Sequence, residues 1–202
     1  MLKVYGDIVS GNCYKVKLLL ALLDIEHEWL HVDIMRGEAH KPAFLALNPN
    51  GKVPTVVLED GRTLCESNAI LHYFAEGSCF LPQDRFLHAK VLQWQFFEQY
   101  SHEPYIAVAR FIAKYLGLPE DRREDYLAKQ AGGHKALEVM EKQLAQTPYL
   151  VGDTYTIADI SLYGYTHVAH EGGFDLQHYP AITAWLARVK SEPRHVTIEQ
   201  FL

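Results

Sequence analysis

Cysteine is scarce in this chain, and a surplus of positive charge is missing. Three cysteines among 202 residues, Cys13, Cys65 and Cys79, are an odd number and follow no zinc-ligand spacing. That excludes a disulfide framework and reads as reduced thiols in a cytosol. Lys and Arg number 19 against 25 Asp and Glu, a net charge of −6. A nucleic-acid-binding chain normally carries the opposite balance, so no nucleic-acid partner is expected. No run approaches the roughly 18 apolar residues of a membrane span, and the opening MLKVYGDIVS is too polar for a secretory signal. These absences predict a soluble, cytoplasmic protein without a membrane role. What is present is an apolar content of 49% over a length able to bury one large or two small cores.

Hydrophobic periodicity divides the chain in two. Leu2 and Val4 alternate with Lys3 and Tyr5, a short strand. Val16, Leu19, Leu20 and Leu23 then recur at i, i+3, i+4 and i+7, the stripe of a core-facing helix. Leu30, Val32 and Ile34 predict a second strand. An irregular stretch follows over residues 36–50, with a short helical piece at 42–47. The runs 55–58 and 62–65 flank Asp60-Gly61 and predict a hairpin. Ser67 opens another helix, with Ile70, Tyr73 and Phe74 on one face. Beyond Gly77 and Pro82 no strand is expected, and helices are predicted for about residues 85–116, 123–146, 156–171 and 180–191. Pro104 must end or kink the first of these, because it lacks an amide hydrogen and clashes with the preceding turn. Gly132-Gly133 weakens the second and predicts close packing or a bend. The expected architecture is an α/β domain over residues 1–77, ordered βαβ then ββα, and an all-α helical bundle over residues 84–202.

The first helix opens on SGNCYKVK, Ser10 to Lys17. Thiol–disulfide enzymes place Cys-x-x-Cys at such a helix start after a short strand. Here Ser10-Gly11-Asn12-Cys13 puts a hydroxyl where the attacking sulfur belongs. Serine cannot exchange disulfides, but at a helix N-terminus it can donate to a sulfur anion brought in by a ligand. Asn12, through its amide, and Cys13, through its thiol, are alternatives for that role, although small buried thiols are usually inert. A different motif is refused. His27-Glu28-Trp29-Leu30-His31 satisfies H-E-x-x-H, but that chemistry needs both histidines on adjacent turns of one helix. In a strand, residues four apart lie roughly 13 Å from each other and cannot share a zinc. No metal site is expected. Thr156-x-x-Asp159 reads as a capping box with a structural role.

Three strings stand in a familiar order and spacing: Asn48-Pro49-Asn50-Gly51-Lys52-Val53-Pro54, Glu66-Ser67-Asn68-Ala69-Ile70, and Thr156-Ile157-Ala158-Asp159. Through them essentially the whole chain resembles the cytosolic glutathione transferases, on their bacterial serine-type side, with some likeness to zeta and phi members. The resemblance implies a thioredoxin-like N-terminal fold, glutathione as cosubstrate and a homodimer. It implies a cis Val53-Pro54 bond, with the Val53 main chain pairing to the cysteinyl part of glutathione like an added strand. Ser67 and the first amides of its helix would hold the γ-glutamyl α-carboxylate, and Glu66 would pair with the α-ammonium. His40, Lys41 and Lys52 offer charge for the glycyl carboxylate. Phi members carry the histidine one place earlier relative to the following proline, where this chain has Ala39, so His40 and Lys41 both stay open. Ser10 matches the catalytic serine of zeta members. Omega-type members instead form a mixed disulfide through a cysteine, which keeps Cys13 as an alternative.

The implied function is a glutathione transferase whose Ser10-held thiolate attacks a small hydrophobic electrophile, a detoxification chemistry. In relatives the second substrate lies against the first long helix of the helical domain. Trp94, Tyr100, Tyr105, Phe111 and Tyr115 offer aromatic surface there, and Tyr105 and Arg110 are taken as the substrate-binding candidates. Three other readings stand beside it. One is a thiol transferase or reductase acting through Cys13. Another is a zeta-like isomerase in which Arg110 binds a substrate carboxylate. The last is a noncatalytic transferase-like binding module, against which the intact Val53-Pro54 and Glu66-Ser67 count.

Overall fold

The computed structural model describes residues 1–200, in two compact units. One comprises Met1–Glu76 together with the described chain from Pro193 onward, and the other is Gly77–Glu192. The first unit holds strands β1 (Lys3–Gly6), β2 (Glu28–His31), β3 (Thr55–Val57) and β4 (Thr63–Cys65), with helices α1 (Gly11–Leu22), α2 (Pro42–Leu45) and α3 (Ser67–Ala75). The sheet order is β2-β1-β3-β4, parallel between β1 and β2 and antiparallel elsewhere. A parallel pair requires a crossover, which α1 supplies. Leu2, just before β1, and Val4 and Val56 of the sheet pack with Val16 and Leu20 of α1 and Ile70 of α3 to form this unit's core.

The second strand sits earlier than its alternating residues predict. β1 has four residues, and they pair with Glu28 to His31. Val32 still bonds back to Gly6, but Ile34 N donates instead to the Asp7 carboxylate at 3.0 Å, which starts the long loop. His27 and His31 thus bracket a strand, not a helix, and H-E-x-x-H has no metal geometry here.

The C-terminal segment packs on α1, a contact that periodicity does not reveal. Tyr14 Oη donates to Val196 O at 2.8 Å, and Lys17 Nζ donates to Ile198 O at 2.7 Å and Gln200 O at 2.8 Å. Burial pushes Lys17 down to about 8, with Glu199 and Cys13 opposing the shift.

The second unit is helical: α4 (Arg85–Phe97), α5 (Glu103–Arg110), α6 (Arg123–Leu144), α7 (Ile157–Thr166) and α8 (Pro180–Lys190). Asp84 caps α4 by accepting from Phe86 N and Leu87 N. The predicted long helix is a run of changing pitch, in which α4 passes through a π turn at Glu98–His102 into α5 and then a second π turn at Phe111–Tyr115. Pro104 stands in the first turn of α5, so the wider turn before it absorbs the missing amide and the clash.

The glycine pair marks close packing. A Cβ on Gly132 would lie 2.2 Å from Tyr105 Cε1, and one on Gly133 would lie 2.3 Å from Phe174 Cε1. Phe174 is fully buried and cannot swing away. Gly133→Ala is therefore expected to destabilise the protein by about 1–3 kcal/mol despite the better helix propensity of alanine. A lower denaturant midpoint with an unchanged m-value is the expected reading; a midpoint at or above wild type would refute it.

Candidate functional site

Strand register alone gathers the predicted residues of the first unit. Tyr5, Thr55 and Cys65 are successive partners across β1, β3 and β4. The C-terminal end of β1, the entry to β3 and the exit from β4 therefore share one end of the sheet. Ser10 follows β1, Val53-Pro54 precedes β3, and Glu66-Ser67 follows β4. A direct contact closes the circle: the Ser67 hydroxyl donates to Asn12 Oδ1 at 3.2 Å.

Ser10 is the N-cap of α1, half-buried, its hydroxyl oxygen accepting from Cys13 N at 3.3 Å. That bond uses a lone pair and leaves the hydroxyl proton to be donated. Asn12 is half-buried, and its carboxamide oxygen also accepts from Lys15 Nζ at 2.6 Å. Cys13 lies in the core of the unit. It is fully buried beneath Gly6, and burial pushes its thiol up to about 12, with the Ser10 hydroxyl opposing this only in part. A thiol so placed is neither accessible nor ionised at neutral pH.

The Val53-Pro54 peptide is cis. The loop before it is tied by Asn48, whose Nδ2 donates to Lys52 O at 2.8 Å and Thr55 Oγ1 at 3.3 Å. Among the described residues the Val53 N–H and C=O make no main-chain hydrogen bond, so this edge is open for pairing. Glu66 is exposed and adopts φ 67°, unusual for a residue with a side chain. This turn sets Ser67, which is buried, as the first residue of α3.

The basic candidates separate. Lys41 Nζ pairs with Glu38 Oε1 at 2.8 Å. His40 is exposed and its ring lies against Gly51, where an added Cβ would come within 2.8 Å of Nδ1. Lys52 is exposed beside them.

Both candidates in the helical unit make internal contacts. The Arg110 side chain is 4% exposed, and its Nε donates to Glu171 Oε2 at 2.6 Å while its guanidinium lies over the Tyr115 ring. It is an internal ion pair, and a substrate carboxylate would have to displace Glu171. Tyr105 is half-buried, with its ring against Gly132. The residues that sequence reasoning passed over are Lys15, Asp7 and Glu171, all defined by contacts distant in the chain or hidden inside a helix.

Among the described residues no group of three or more His, Cys, Asp or Glu side chains is placed to hold a metal ion. No helix among them is long and apolar enough to cross a membrane.

Known proteins share this fold. The family model described as glutathione S-transferase, N-terminal domain, matches residues 9–76, and the one for the C-terminal domain matches residues 87–193. A crystal structure of glutathione S-transferase from Pseudomonas fluorescens Pf-5 is 64% identical with a TM-score of 0.97, covering 98% of this chain and 99% of that one. A glutathione transferase from Burkholderia graminis, solved with two glutathione molecules per subunit, is 27% identical with a TM-score of 0.83, covering 96% of this chain and 85% of that one. The disulfide-bond oxidoreductase YfcG of Escherichia coli is 29% identical, covering 91% of this chain and 88% of its own length. With both family models in sequence order over most of its length, this chain belongs to the glutathione S-transferase family.

Proposed function

We propose that this protein is a cytoplasmic, homodimeric glutathione transferase of detoxification, binding glutathione on its first unit and bringing a small apolar electrophile against the helical unit. The observation that carries the reading is the convergence of Ser10, Val53-Pro54 and Glu66-Ser67 at one sheet end, with Ser67 bonded to Asn12. Each group suits one part of the tripeptide. The first-turn amides of α3, beside Ser67, face the α-carboxylate with the positive helix end behind them. Exposed Glu66 pairs with the ammonium, and the open main chain of Val53, set by cis Pro54, pairs with the cysteinyl backbone. His40 and Lys52 face the glycyl carboxylate, while Lys41 already has Glu38. Ser10 then donates to the sulfur, at the start of a helix whose dipole also favours the thiolate.

Calorimetric titration with reduced glutathione, followed in parallel by thiolate ultraviolet absorbance, tests this. Saturable binding with thiolate present at neutral pH is the expected result. No binding at all would leave a transferase-shaped interaction module.

Burial and protonation of Cys13 speak against a thiol transferase acting through it. Cys13→Ala is expected to change both conjugation and disulfide-exchange rates by less than about twofold. Loss of exchange with conjugation spared would restore the reductase reading.

A further inference from the structure

Lys15 is fully buried in α1, and its side chain runs back toward the helix start, the direction in which helical side chains tilt. There its Nζ meets Asn12 Oδ1 at 2.6 Å, the oxygen that also accepts from the Ser67 hydroxyl at 3.2 Å. An ammonium has no lone pair and can only donate. The carboxamide oxygen must therefore point inward and the amide nitrogen away, so the orientation of Asn12 is fixed chemically. One acceptor ties the turn that follows Ser10 to the first residue of α3.

We propose that Lys15 is a positioning residue for thiol activation. Acting through Asn12, it holds the first turn of α1 and the Ser67 hydroxyl in one relation, so the sulfur end and the γ-glutamyl end of glutathione are gripped as a unit. The inference rests on the reading of this site as a glutathione site. Without Lys15 the Asn12 amide can turn over and present its nitrogen to Ser67, and small displacements of groups around a reacting atom are costly to rate. A buried ammonium is expensive to desolvate, and an apolar residue of similar length often replaces such a group without loss.

That contrast supplies the test. Full-length wild type, Lys15→Met, Asn12→Ala and the double variant are compared by thermal melting, by calorimetry with reduced glutathione, and by thiolate absorbance across pH. Lys15→Met is expected to melt no lower than wild type. Its bound glutathione should nevertheless ionise about one unit higher, with kcat/KM at neutral pH down about tenfold and recovering as pH rises. The double variant should behave as Asn12→Ala alone, because Lys15 works through that residue. A wild-type thiolate titration in Lys15→Met, or additive effects in the double variant, would overturn the proposal. If Lys15→Met does not fold, Lys15→Leu carries the same readouts, and failure of both to fold makes Lys15 a structural residue and overturns it too. Wild type that binds no glutathione would instead overturn the site reading itself.

Discussion

Ser10→Ala is expected to lower kcat/KM for glutathione conjugation by about 10²–10³ at neutral pH, the usual effect of removing one donor to a developing anion. The hydroxyl oxygen of Ser10 accepts from Cys13 N, so its proton is the part that can face a sulfur. Bringing a thiol from about 8.5 down by about 2 units takes roughly 2.7 kcal/mol of preference for the thiolate. Without the hydroxyl, only the helix end and neighbouring amides remain. The inflection of rate against pH should move up by about 2 units, and activity should recover in alkaline buffer. Glutathione affinity should change only a few-fold, since the γ-glutamyl and glycyl contacts are untouched. The variant also loses a helix cap, worth about 0.5–2 kcal/mol, and Ser10→Thr separates the two losses by keeping a hydroxyl. An unmoved pH profile in Ser10→Ala would transfer sulfur activation to Asn12.

Much of the first unit was legible in the sequence because its signals are local. The hairpin at Asp60-Gly61, the stripe of α1 and the proline after Val53 each depend on neighbours in the chain. β2 was displaced because its ends are set by the four residues of β1, not by its own alternation. Lys15 could not be read at all. Nine of the twelve residues of α1 are buried, so no polar face marks which charged side chain points inward. The setting of Arg110 was hidden for a related reason. Its partner Glu171 lies in a different element, and a lone arginine in a sequence gives no sign of an internal carboxylate. Gly132-Gly133 was readable as close packing, but the two aromatic rings that demand it belong to α5 and to the segment before α8.

Asp159→Ala is expected to cost more than about 4 kcal/mol, enough that the protein accumulates little folded material near physiological temperature. Asp159 is fully buried at the start of α7, and its carboxylate accepts four hydrogen bonds. Oδ1 takes Leu150 N at 2.9 Å and Trp185 Nε1 at 3.0 Å; Oδ2 takes Thr156 N at 3.0 Å and Thr156 Oγ1 at 3.1 Å. One side chain thus closes the capping box, anchors the chain at Leu150 and fixes the largest buried ring of α8. Alanine strands those donors in a dry interior, each at about 1–3 kcal/mol. Asp159→Asn keeps the shape but turns an NH₂ toward two of the donors, so it should fall between. Burial pushes the Asp159 carboxyl from 3.8 up to about 6, against the four bonds that pull it down. Between those values the folded state holds the proton more tightly than the unfolded chain, so this group's contribution to stability falls as pH rises through that window. Asparagine does not titrate. The stability gap between wild type and Asp159→Asn should therefore narrow from about pH 4 to pH 7. Chemical unfolding of both across that range decides the matter, and a gap that widens instead would mean the hydrogen bonds, not burial, govern the carboxylate.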